Sequence, residues 1–155
     1  MAYEHRQHQP FIAILLGLIL VATFAGMVFM PSGTAGFDTL PVVIGIVAIA
    51  ALGLFSRLTT RVADGAVSWC FGWGFPGGAF PVADIARVER TETSFWEGWG
   101  IHWTIWHGWL WNTWGFQAVQ IFRKDGSSMT IGTDDPEGLI NAINGTLRQA
   151  QGDSV

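Results

Sequence analysis

The chain has little cysteine, little charge and none of the short motifs that mark common active sites. Its one cysteine, Cys70, excludes an intramolecular disulfide, which fits a domain that lives in a reducing compartment. Charged residues make up 13% of the sequence. From Thr59 to Val155 the six basic residues Arg61, Arg87, Arg90, Arg123, Lys124 and Arg148 stand against ten acids. Neither nucleic acid nor an anionic inositol lipid fits such a surface, because both call for clustered Lys and Arg. Cys70 has no histidine near it in sequence, and no serine sits in a G-x-S-x-G context, so no catalytic residue is assigned and the chain reads as non-enzymatic. The glycines of "GWGFPGG" do not match a phosphate-binding fingerprint, and no cofactor is implied. His102 and His107, five apart, do not converge on one ion from a strand or a helix. Asp134, Asp135 and Glu137 lack the alternating ladder of a calcium loop and instead complement the positive end of a helix. No metal site is expected.

Apolar residues are what the chain has in excess. Phe11 to Met30 is a run of twenty residues without a charge, about the length needed to cross a hydrocarbon core of about 30 Å. After residues 31–39, read as a short extracytoplasmic loop, a second apolar run extends from Leu40 to Phe55, and helix 2 is placed at 40–56. It is short for a span unless tilt or local thinning helps it. Asp38 or Thr39 can cap its start, with Pro41 tolerated in the first turn. Arg6 before the first run and Arg57 and Arg61 after the second, with no base between, put both termini in the cytoplasm by the positive-inside rule. The expectation is therefore a two-helix transmembrane hairpin in a bacterial inner membrane, behind a cytoplasmic segment at 1–10.

From Thr59 the pattern changes to short strands broken by glycine and proline. "GAVSWCF" (65–71) and "DIARVERTE" (84–92) bracket a turn-rich stretch, and "QAVQIFRK" and "SSMTIGT" flank Asp125-Gly126, a hairpin signal. Leu139, Ile140, Ile143 and Leu147 then recur at helical spacing behind Pro136, which predicts a C-terminal helix over 134–150 and a tail at 151–155. Two apolar helices, "GAVSW", "VADIARVE" and above all "VQIFRKDGSSMTIGTDDPEGLINAI" resemble the bacterial PH-like domain membrane proteins, relatives of the pleckstrin homology fold. The resemblance covers about Thr59 to Gln149 and the position of the anchor. It implies a membrane-anchored α+β fold, with an antiparallel β roll or partly open barrel over 59–150 capped by the C-terminal helix, and binding duties without catalysis.

The tryptophans are concentrated. Six of nine lie in "WGIHWTIWHGWLWNTWG", Trp99 to Gly115. A hairpin turning at His107-Gly108 would pair Trp106 with Trp109 and Thr104 with Trp111. One face would then hold Ile101, Trp103, Ile105, Leu110 and Trp114 with Asn112. The other would hold Trp106, Trp109 and Trp111 among His102, Thr104 and Thr113. An indole has an apolar body and one N–H donor, so the second face suits a protein contact, the headgroup layer, a small ligand cage, or burial under neighbouring strands. Trp96 and Trp99 would extend the patch. The expected function is a scaffold or accessory module that docks on a membrane protein complex, or on itself, through Trp106, Trp109, Trp111, His102, Trp96 and Trp99. The alternative is sensing of a lipid bilayer surface or a small molecule by the same face.

Overall fold

A computed structural model describes residues 2–8, 10–29, 39–98 and 100–152, without the side chains of residues 11, 12, 27, 52, 151 and 152. The expected loop at 31–38, Trp99 and the end of the tail at 153–155 lie outside the described residues. The first element is a strand, β1 (Tyr3–His8), followed by the helices α1 (Pro10–Phe29) and α2 (Leu40–Phe55). Eight more strands follow: β2 (Arg57–Ala63), β3 (Ala66–Phe71), β4 (Gly77–Pro81), β5 (Ile85–Glu92), β6 (Gly100–Thr104), β7 (Gly108–Asn112), β8 (Gln117–Arg123) and β9 (Ser128–Gly132). The last element is helix α3 (Pro136–Gly152).

The strands form two sheets, ordered β1-β2-β3-β4 and β5-β8-β9-β7-β6. All pairings are antiparallel except that of β7 with β9. Alternation places the core between the sheets: Leu58, Val62, Val67 and Phe71 point inward from the first, Val119, Ile121 and Ile131 from the second. Leu139 and Ile143 of α3 complete it. Asp135 caps α3 by accepting the Gly138 N–H at 3.0 Å, and Pro136 occupies the first turn, where no donor is needed. A Cβ at Gly138 would stand 2.0 Å from Asp135 Oδ2, so a larger residue there would displace the capping carboxylate. The Tyr3 hydroxyl donates to Asp135 Oδ2 at 3.1 Å and ties β1 to the same cap. Burial, helped by the Asp135 charge, pushes the Tyr3 phenol above its usual range.

The strand β1 is not evident from its sequence. Its hexamer YEHRQH carries no apolar alternation, and its most buried residue is Gln7. Gln7 is satisfied by donating to the Trp114 carbonyl at 2.8 Å and accepting from the Thr113 hydroxyl at 3.2 Å. A polar residue thus holds the strand where a hydrophobic one was looked for.

The transmembrane hairpin expected of the two apolar runs is overturned. Among the described residues, no helix is long and apolar enough to cross a membrane. With 16 residues, α2 rises about 24 Å at 1.5 Å per residue, against about 30 Å for a hydrocarbon core. Among the described residues the fold is α+β, with two sheets and three α-helices. The membrane-anchored class falls with the hairpin, as does the assignment to a bacterial inner membrane with cytoplasmic termini. Hydropathy reports only that a helix is apolar all round, not what surrounds it. The two helices pack on each other and leave apolar side chains exposed on both, Leu18 and Phe24 on α1 and Ile46 and Val47 on α2 among them.

Candidate functional site

Three segments build the aromatic end of the second sheet. After β5 the chain passes through Ser94 into one 3-10 turn, Phe95–Glu97, then runs up β6, round a loop and down β7. The turn is fixed by a capping box, in which the Ser94 N–H donates to Glu97 Oε2 at 2.7 Å. This leaves Phe95 and Trp96 on the outside, edge to face with centroids 5.9 Å apart, and Trp96 is 92% exposed.

The β6–β7 hairpin pairs Ile101 with Trp111, Trp103 with Trp109 and Thr104 with Gly108. Its loop is therefore Ile105, Trp106 and His107, and the two-residue turn at His107-Gly108 is not formed. A two-residue turn of the primed type needs positive φ at both centres, and only Gly108, at φ 66°, supplies it. The three-residue loop puts the left-handed residue at its end instead. Gly108 is required twice over, because a Cβ there would lie 2.2 Å from the Ser128 carbonyl oxygen of β9. The new register re-sorts the side chains. Ile101, Trp103, Trp109 and Trp111 share one face, and His102, Leu110 and Asn112 the other.

The loop is tied down from several directions. The His107 N–H donates to Thr104 Oγ1 at 3.0 Å, Gln120 Nε2 donates to the Trp106 carbonyl at 3.0 Å, and the Thr130 hydroxyl donates to the His107 carbonyl at 2.9 Å. The His107 ring is mostly buried, with Nδ1 2.6 Å from Glu97 Oε1 and Nε2 3.3 Å from the Thr91 hydroxyl. Burial resists the ionisation of Glu97, but the Ser94 amide and the His107 ring together outweigh it and hold its carboxyl below the ordinary range. With Glu97 ionised, Nδ1–H donates to it and Nε2 faces the Thr91 hydroxyl. So this contact joins the two projecting segments. Above it Trp106 is 80% and Ile105 78% exposed.

The six residues proposed from sequence separate. Trp96, Trp106 and Trp109 are exposed at this end, with Trp103 beside Trp109 across the strands. Trp111 turns inward and packs on Trp69 at 5.5 Å and Phe71 at 6.1 Å between centroids. His102 points to the side of Leu110, and its Nε2 is buried without a hydrogen-bond partner. Trp99 lies outside the described residues. Sequence reasoning missed Glu97, His107, Thr91, Gln120 and Thr130 as the ties of the tip. Of these, only Glu97 was signalled, by the S-x-x-E spacing from Ser94. Among the described residues, no group of three or more His, Cys, Asp or Glu could hold a metal ion.

No family model matches the chain, and no curated protein matches it.

Proposed function

We propose that the chain is a non-enzymatic interaction module that docks on another protein, a second copy included, through the tip formed by Trp96, Ile105, Trp106 and the neighbouring Trp103 and Trp109. The observation that carries this reading is the contrast within the tip: its backbone and His107 are pinned, while its large apolar side chains face outward. Aromatic anchors held rigid before binding lose little conformational entropy on contact, which is how a few residues come to dominate an interface. The exposed apolar flanks of α1 and α2 offer a second contact surface of the same kind. A pleckstrin-homology-like relationship is part of the proposal, supported by the order β8, tight turn, β9, capped α3 and by α3 closing the core between two sheets.

The test compares the unaltered chain with the double variant Trp96→Ser, Trp106→Ser in sedimentation and in co-purification. Loss of self-association or of a co-purifying protein is expected. Assembly that is identical in the two chains would remove the tip from the interface. Tryptophan emission quenched by spin-labelled lipids in liposomes, and restored by the double variant, would move the reading to a lipid surface instead.

A further inference from the structure

Beside the tip, a groove of about 820 Å³ lies between β4, an edge strand of the first sheet, and β7 of the second. Trp69 and Phe80 wall it from the first sheet, and Trp109, Trp111 and Met129 from the second. Its volume and its largely aromatic lining lie within the range of small-molecule sites. Trp69 packs edge to face on Phe80 at 5.5 Å and on Trp111 at 5.5 Å, and Trp109, 54% exposed, presents open ring surface to a flat guest. Gly78 makes room for the Trp69 indole, since a Cβ there would come within 2.6 Å of Cζ2.

Two donors in this lining have no acceptor. Trp69 is only 8% exposed, and its Nε1–H is itself buried without a hydrogen-bond partner, so an acceptor reaches it only as the indole turns toward the groove. An unpaired buried donor is destabilising, so a site that keeps one has something to gain from an acceptor. The second is Nε of Arg123, whose guanidinium lies 5.4 Å from the Phe80 ring centroid. The charge of Arg123 is already met by Asp125 at 3.1 Å and Asp84 at 3.6 Å. Those two acids would repel an incoming carboxylate, whereas a neutral carbonyl oxygen carries no net charge for them to repel.

We infer that the groove between β4 and β7 binds an uncharged, flat, apolar molecule carrying a carbonyl acceptor, its ring against Trp69, Phe80, Trp109 and Trp111 and its oxygen on Trp69 Nε1–H. The site shares Trp109 with the docking tip but does not rest on the proposal made for it.

The experiment titrates the full 155-residue chain with 2-acetylnaphthalene, with 2-ethylnaphthalene as the same shape lacking the acceptor, and with 2-naphthoate as the charged acceptor. Saturable binding of the ketone is expected, about tenfold tighter than the hydrocarbon, the change for one hydrogen bond in a dry site, with naphthoate weaker than the ketone. Trp69→Phe, which removes the donor and part of the aromatic wall, should weaken the ketone about tenfold more than the hydrocarbon. Trp106→Ser should alter neither. Equal affinity of ketone and hydrocarbon, tighter binding of naphthoate, or absence of saturation would each overturn the assignment, and these comparisons hold on the unaltered chain even if Trp69→Phe fails to fold. Loss of ketone binding in Trp106→Ser would transfer it to the tip and overturn the groove.

Discussion

The molecule uses one residue type in two opposite ways. In the inner aromatic group, Trp69, Phe71, Phe80 and Trp111 pack ring against ring between the sheets. In the outer group, Trp96, Trp103, Trp106 and Trp109 stand largely in solvent. The difference comes from position along the strands and from loop length, not from composition. Trp109 and Trp111 are two residues apart on one face, yet one reaches the core and the other only the rim. A tryptophan-rich segment is therefore not a single functional patch, because its register decides which rings hold the fold and which remain available.

The contrast can be broken most forcefully from the inner side. Phe71→Ala removes a fully buried ring that meets Phe55 and Trp111, and unfolding by denaturant should show a loss of about 3–5 kcal/mol. Next, Gly108→Ala should cost about 2 kcal/mol or more, since it places a side chain at positive φ and against the backbone of β9. The Trp103–Trp109 pairing would shift with it, visible in near-ultraviolet dichroism. Glu97→Gln should cost about 1 kcal/mol at neutral pH by weakening the tie to His107. Because the Glu97 carboxyl is held below its ordinary value in the folded chain, its contribution is complete above the unfolded value of about 4.3 and is lost as pH falls through the lower folded one. Midpoints of thermal unfolding followed from pH 6 to pH 3 should therefore fall less steeply in Glu97→Gln than in the unaltered chain. A fall of equal slope would place the acid sensitivity elsewhere. The smallest effect on stability, within about 0.5 kcal/mol, is expected for Trp106→Ser, an exposed ring whose loss should tell on association alone.

Signals that depend on neighbours in sequence were legible. The Asp125-Gly126 turn, with Gly126 at φ 85° and the Ser127 N–H donating to Asp125 Oδ1, follows from local turn chemistry. Helix α3 likewise declares itself through Pro136 and its apolar spacing. What depends on distant partners was not legible. The hairpin register follows from β7 lying parallel to β9 and from Asn112, which is wholly buried, accepting the Trp114 N–H at 3.1 Å and donating to the Gly115 carbonyl at 3.2 Å. Strand β1 is held by Gln7 and Tyr3 through contacts more than a hundred residues away. The two apolar runs were the strongest signal in the sequence and supported the wrong inference, because apolar content alone does not fix what surrounds a helix.

The helix pair departs from the first sheet and returns to it at one point, since His8 at the end of β1 sits directly opposite Arg57 at the start of β2. Topologically it is a long detour between two rungs of a ladder. Such a detour can lengthen, shorten or tilt over evolutionary time while the sheet keeps its register, so the two parts of the chain are free to answer to different selective pressures. Trp73 lying against Gly53 and Phe71 against Phe55 are places where a change in one part would be felt in the other.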